Sequence, residues 1–221
     1  MPITVNHVRF ANRDLYDVNL HGTIINVTVT AAASVVRRWI NSTLSLHRRD
    51  LERNCLIVGL GVQWTPCGRN SPADTLQLCI GRRCLILQLF HANRISTTLR
   101  NFLRNPDFTF VGFWNHSDRR KLESSEHRFE MCRDPLDLRY YAVADDDDYD
   151  DDDDDEDLSR APIHKIVEKC LGYDVELEQS REICRSDWDD EYLSHDQVVY
   201  VSIDAYCAFR IGKNTKAWRY I

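Results

Sequence analysis

The 221-residue sequence predicts an α/β protein in which a mixed β-sheet is flanked by helices and preceded by an N-terminal β-hairpin. Two patterns predict this class. Period-two alternation dominates the first thirty residues, and apolar runs then alternate with segments of helical periodicity. This order favours one sheet covered by helices. We therefore expect a hairpin extension over residues 1–30 and a single domain over residues 31–221.

The strands are predicted from short apolar segments. Residues 18–20 and 25–29 alternate, and His21-Gly22 between them marks the hairpin turn. The run CLIVGLGVQW, residues 55–64, is continuously apolar and predicts a buried central strand. Three further strands are predicted over residues 75–81, 83–90 and 109–115.

Helical spacing of apolar residues predicts the covering layer. The last helix opens with the capping box Ser194-x-x-Gln197, where each residue satisfies a free amide of the first turn. Gly172 suits the end of the preceding helix. Earlier helices are expected to begin near Ser34, Ser96, Ser117 and Pro162.

Charge is distributed unevenly. The chain carries −7, but residues 145–157 contain twelve acidic residues and no basic one, so the remainder carries +5. A block of like charges without apolar groups predicts a disordered surface insertion. Two further interpretations stay open, a nucleic-acid mimic and a docking segment for a basic partner. The mildly basic remainder suits contact with a phosphate backbone.

Secretion and membrane insertion are not expected. The N-terminus lacks a basic flank followed by an apolar run, and no stretch approaches the roughly 18 apolar residues of a membrane span. The eight cysteines include no Cys-x-x-Cys pair, which favours free thiols in a reducing compartment, here the nucleus or the cytoplasm. A zinc site at Cys79 and Cys84 has no support from the spacing.

Three segments, in this order, resemble the motifs of the DEDDy-type 3′-5′ exonucleases of the RNase H-like superfamily. They are LIVGLGVQWTP (56–66), LRNFLRNPDFTFVGFWNHSDRRKL (99–122) and YVSIDAY (200–206). The resemblance is nearest to the plant-type Werner-syndrome-like exonuclease domain proteins. It implies a DnaQ-like fold and hydrolysis of the terminal phosphodiester with Mg²⁺ or Mn²⁺, carried out on single-stranded nucleic acid.

The family holds its metals with four carboxylates. An Asp-x-Glu pair on a strand aims two of them at one spot, because residues i and i+2 share a face. Such oxygen ligands suit Mg²⁺ and Mn²⁺, and two ions stabilise the attacking and leaving oxygens. In this sequence the pair falls on Gly61 and Gln63, which are degenerate ligand positions.

The rest of the family pattern is kept. The resemblance implies that Asp118 and Asp204 are the remaining metal ligands, and that Tyr200, one helical turn before Asp204, orients the attacking water. Two carboxylates would hold a metal weakly. Losing about 4 kcal/mol of transition-state stabilisation corresponds to about a thousandfold in rate, so we expect activity to be weak or absent.

Nucleic-acid contacts are predicted next to these motifs. Arg119, Arg120 and Lys121 follow Asp118 and suit contacts to phosphates, although solvated helix charges explain them as well. Trp64 suits stacking on a terminal base, and its alternative is a place in the core.

Two functional hypotheses remain. The first is an exonuclease-family protein that binds single-stranded or frayed 3′ ends and is weakened by Gly61 and Gln63. The second is an inactive nucleic-acid-binding or regulatory subunit that forms homo- or hetero-oligomers with related exonucleases and needs no cofactor.

Overall fold

The computed structural model describes residues 3–68, 71–141, 158–173, 175 and 180–221. Within these residues, eight strands form one sheet in the order β1-β2-β3-β6-β5-β4-β7-β8. They are β1 (Thr4–Phe10), β2 (Arg13–Leu20), β3 (Thr23–Thr30), β4 (Leu56–Gln63), β5 (Thr75–Ile80), β6 (Arg83–Gln88), β7 (Phe108–Gly112) and β8 (Leu136–Asp137).

Seven α-helices cover the sheet within the described residues. They are α1 (Ala33–Leu46), α2 (Arg48–Glu52), α3 (Thr97–Leu103), α4 (Asp118–Ser124), α5 (Ile163–Leu171), α6 (Ser180–Cys184) and α7 (His195–Asn214). Short 3₁₀ turns occupy Leu138–Tyr140, Leu158–Arg160 and Ala217–Tyr220. The fold is therefore the mixed α/β architecture that the sequence predicts.

The N-terminal hairpin is present but is not separate from the main sheet. Strands β2 and β3 pair around His21 and Gly22, whose φ angles of 48° and 85° suit a two-residue hairpin turn. Strand β1 adds to β2 and makes a three-stranded meander. Strand β3 then pairs in parallel with β6, so the meander extends the same sheet.

The direction of the strands determines where the candidate functional residues lie. Strands β3, β6, β4, β7 and β8 run in the same direction, and β5 runs antiparallel between β4 and β6. The C-terminal ends of these five strands, and of β1, which runs in the same direction, therefore lie at one side of the sheet, which we call the C-terminal edge. Residues that follow these strands are expected to lie near one another.

Helix α7 crosses one face of the sheet and fixes the site. Gly59 of β4 lies against it so closely that an added Cβ would come within 2.0 Å of the Ala205 carbonyl oxygen.

The predicted capping box of Ser194 and Gln197 is confirmed, as is the Ser96 cap of α3. The predicted cap at Ser34 is wrong, because α1 begins at Ala33 and Ala32 occupies its N-cap.

The acidic run, the possibility of a membrane span and the state of the cysteines were also predicted from the sequence. The predicted acidic insertion at residues 145–157 lies outside the described residues. Within them, no helix is long and apolar enough to cross a membrane. All eight cysteines are free thiols, and four of them, Cys55, Cys79, Cys84 and Cys207, are buried.

Candidate active site

The strand half of the site, by which we mean Gly61 and Gln63 of β4 with the neighbouring Gln77 of β5, contains no carboxylate. Gly61 and Gln63 lie near the end of β4, and Gly61 pairs with Gln77 of β5. An added Cβ at position 61 would lie 3.0 Å from Gln77 Oε1. The Gln77 side chain is fully buried, and its Nε2 donates to Thr75 Oγ1 at 2.7 Å. Gln77 therefore fills the space into which a side chain at position 61 would extend.

The Gln77 carbonyl oxygen is itself unusual. Oε1 is buried and has no hydrogen-bond partner among the described residues. A buried polar atom without a partner costs free energy, so Oε1 is an unsatisfied acceptor beside position 61. The sequence pattern Leu76-Gln77-Leu78 marked this strand, but only the pairing with Gly61 shows what Gln77 does.

Asp118 is the first residue of α4 and is 5% exposed. Burial raises the pKa of its carboxyl well above the usual range, and the nearby Asp204 raises it further, whereas Lys121 opposes the shift. The helix start favours a negative charge there, but burial and the second carboxylate oppose it. Asp118 is thus an energetically costly group facing Asp204.

Tyr200 and Asp204 share one face of α7, one turn apart. Asp204 Oδ1 is buried and lacks a hydrogen-bond partner within the described part of the chain. Burial raises the pKa of Asp204 to about 7. Burial, followed by the charge of Asp204, also raises the pKa of Tyr200, whose hydroxyl accepts from Cys184 Sγ at 2.8 Å. The structure thus brings Asp118, Asp204 and Tyr200 together beside β4.

These groups do not fit a two-ion metal site. The unpartnered Asp204 Oδ1 could ligate one ion together with Asp118, but Gly61 has no donor and Gln63 offers only a neutral one. Asp137 is held in a fork by the Arg139 guanidinium, with contacts from 2.7 to 3.1 Å. The described residues contain no cluster of three or more His, Cys, Asp or Glu that could hold a metal.

A cavity of about 600 Å³ opens from Tyr200 and Asp204 between α5, α6 and α7. This volume is within the usual range for small-molecule sites. Its floor is apolar and includes Val167 and Ile203. The polar and aromatic lining includes four residues that the sequence did not single out, namely Trp114, Arg160, His164 and Arg181.

Trp114 is strained and accessible. Its φ of 51° is rarely adopted by a bulky residue and costs on the order of 1–3 kcal/mol. It is 44% exposed, and the Arg139 guanidinium lies 3.5 Å from its ring centroid. Strain of this kind concentrates at functional sites. The signal that could have found Trp114 is its place in the loop that follows β7 at the C-terminal edge.

The predicted nucleic-acid-contacting residues differ in availability. Lys121 Nζ lies 3.6 Å from the Trp64 ring centroid and donates to the Ser71 carbonyl at 2.7 Å. Arg119 is paired with Glu123 at 2.8 Å. Arg120 is exposed. Trp64 packs partly against the core, so Trp64 and Lys121 form an internal contact beside the site.

Known proteins share this architecture. The chain is 23% identical over 192 residues to R431 of Acanthamoeba polyphaga mimivirus, named as a candidate 3′-5′ exonuclease, with 85% of this chain and 45% of that protein covered. Its fold is similar to Escherichia coli RNase D, an exoribonuclease involved in structured RNA processing (16% identity, TM-score 0.57), over 81% of this chain and 43% of RNase D. It also resembles Brucella melitensis NrnC bound to pGG (16% identity, TM-score 0.52), over 74% of this chain and 80% of NrnC.

Together these similarities define the fold. The chain has the RNase H-like fold of the DEDD-type 3′-5′ exonucleases. It spans less than half the length of R431 and of RNase D. No protein-family model matches it.

Proposed function

We propose that this chain binds the 3′ end of single-stranded or frayed nucleic acid in the cavity beside α7, and that it hydrolyses the terminal phosphodiester very slowly. One observation carries the proposal. At the position where the exonuclease motif needs a strand carboxylate, Gly61 faces the buried Gln77. The pocket side of the site is retained, whereas half of its ligand set is missing.

The cavity lining suits a terminal nucleotide. The exposed Trp114 offers a stacking surface for a base, and the apolar floor can receive the sugar edge. Arg160 and Arg181 supply cations for phosphate contact. Asp204 Oδ1, which lacks a protein partner among the described residues, can accept a hydrogen bond from a terminal sugar hydroxyl.

The chemistry of hydrolysis is poorly supported by the same residues. The Tyr200 hydroxyl faces Asp204 and can help to position a water molecule. Asp118 and Asp204 place two carboxylates near the phosphate, and each repels the nucleotide's negative charge unless it is protonated. Without the strand pair we expect a rate about a thousandfold below that of a complete site.

The same observation supports a second candidate. If Gly61 and Gln77 abolish hydrolysis altogether, the fold serves as a nucleic-acid-binding or regulatory subunit for a catalytically active relative. This candidate shares the binding site with the first and differs only in the absence of turnover.

The test is an assay on 5′-labelled single-stranded RNA and DNA with Mg²⁺ or Mn²⁺, with binding and shortening measured on the same samples. Asp204→Ala is the site variant, and Asp50→Ala, at the opposite end of the sheet beside Lys213, is its control. Binding with slow shortening that only Asp204→Ala removes supports the first candidate. Binding without shortening selects the second. Absence of binding to either substrate rejects both.

A further inference from the structure

A second cavity, of about 920 Å³, lies at the C-terminal edge on the far side of β5 and β6 from Gly61. Four segments build it: the β1–β2 turn, the β3–α1 junction, the loop after β6 and the residues that precede α7. We call it the meander groove, defined by Phe10, Arg13, Ser34, Arg94 and Tyr192. Nothing in the proposed 3′-end site uses it.

The meander groove carries a net positive charge, because its lining contains three arginines and two acids. Of its two acids, Asp14 pairs with Arg9 at 3.1 Å, whereas Glu191 accepts from the neutral Tyr192 hydroxyl and keeps its charge. Arg13 and Arg94 have no ion-pair partner among the described residues. Guanidinium groups of this kind suit phosphate, because their fork of donors matches its oxygens.

A neighbouring cavity extends the charge. It shares Ser34 and Arg94 with the meander groove, has a volume of about 340 Å³ and is lined by Arg37. Arg37 is exposed and likewise forms no ion pair with any described residue. Arg13, Arg94 and Arg37 therefore line two adjoining cavities, where they face the single charge of Glu191.

Aromatic side chains accompany these cations. Phe10 is 46% exposed and Tyr192 is 58% exposed. The Arg13 guanidinium lies 4.9 Å from the Phe10 ring centroid, and the Arg9 guanidinium lies 4.4 Å from that of Tyr192. A positively charged groove with exposed rings is the arrangement that sequence-independent single-strand binding uses, with phosphates on the cations and bases on the rings.

The spacing from the 3′-end cavity suits one strand that spans both sites. Ser194, the N-cap of α7, follows the groove residue Tyr192 by two positions, and Asp204 lies ten residues further along, about 15 Å away. Across the sheet, β3 and β4 are three strand positions apart, about 14 Å. Both estimates correspond to a few nucleotides.

From these observations we propose that the meander groove binds the phosphate backbone and bases of a single strand several nucleotides upstream of its 3′ end. The inference rests on the proposed function for the direction of the strand. It adds a second binding site, which the N-terminal meander creates by extending the sheet.

The test measures fluorescence anisotropy with a labelled dinucleotide and a labelled 12-nucleotide single strand, across a salt titration. The variant is Arg13→Ala/Arg94→Ala. Its matched control is Arg49→Ala/Arg53→Ala, which removes two exposed arginines near the start of β4, at the opposite edge. An unchanged thermal unfolding midpoint verifies that each variant is folded.

The expected result is that the groove variant binds the 12-mer about tenfold more weakly and binds the dinucleotide as the wild type does. The slope of log K against log salt is negative, and the loss of two phosphate contacts should reduce its magnitude by about 1.4. The inference is overturned if the control loses as much 12-mer affinity as the groove variant, or if the groove variant keeps its 12-mer affinity. In either case, binding of the dinucleotide would still support the 3′-end site. Groove-dependent 12-mer binding without dinucleotide binding would instead reject the 3′-end site alone.

Discussion

The two halves of the candidate active site, α4 and α7 on one side and β4 with β5 on the other, differ in charge and in packing. The helix half keeps Asp118, Tyr200 and Asp204, although their burial is energetically unfavourable and raises the pKa of each. The strand half has become neutral, with Gly61 pressed against Gln77. Had stability alone shaped the site, the buried acids of the helix half would have been the first to be replaced. Stability alone therefore does not account for the buried acids of the helix half.

The largest effect is expected from rebuilding the strand half. Because Gln77 Oε1 occupies the space beside position 61, the triple variant Gly61→Asp/Gln63→Glu/Gln77→Ala should restore exonuclease activity better than the first two changes alone. The expected gain in rate with Mn²⁺ is about a thousandfold. Shortening of a 5′-labelled strand measures it, and adding Asp204→Asn to the triple variant should remove the gain. Equal rates for the double and triple variants would show that Gln77 does not obstruct the site.

Two glycine substitutions on β4 test how closely this strand packs against α7. A Cβ at position 59 would lie 2.0 Å from the Ala205 backbone oxygen, whereas one at position 61 meets only the flexible end of Gln77. Gly59→Ala should therefore lower the free energy of unfolding by about 3 kcal/mol, since α7 must move. Gly61→Ala should cost less than about 1 kcal/mol. Urea denaturation distinguishes them, and similar losses would contradict the placement of β4 against α7.

The helix half should also carry a pH signature. The pKa of Asp204 is about 7 in the folded protein, above its unfolded value, so the native state binds the extra proton and stability falls as pH rises from about 4 to about 7. Asp204→Asn should remove this fall and stabilise the protein by up to about 4 kcal/mol at pH 8, with little effect at pH 4.

The matched variant is Asp50→Asn, which loses the ion pair with Lys213 and should destabilise the protein at pH 8. Urea unfolding at both pH values gives the comparison. A stabilisation by Asp204→Asn that is equal at pH 4 and pH 8 would rule out ionisation of Asp204 as its cause.

The smallest effect concerns the two tryptophans near the site. Trp114→Ala should weaken binding of a single-stranded 3′ end by about 1 kcal/mol, or about fivefold, because a stacking surface is lost. Trp64→Ala should instead lower thermal stability, since Trp64 packs against Lys121 and the core. Anisotropy and thermal unfolding on both variants separate these effects. A larger binding loss for Trp64→Ala would place the stacked base on the other side of the site.

The sequence determined most of the local structure. Alternation, apolar runs and caps predicted strands β2 to β7, the helix starts at Ser96 and Asp118, and the last helix from its capping box. These signals are local, because they depend on side chains a few residues apart. The order of the three motif segments also predicted the exonuclease fold.

Only the tertiary structure decided how distant residues meet. The contact of Gly61 with Gln77 depends on the register between β4 and β5, and the strain of Trp114 depends on the loop that it closes. The meander groove combines four segments that are far apart in sequence. No local pattern encodes such contacts, because they arise from strand order and from the direction in which α7 crosses the sheet.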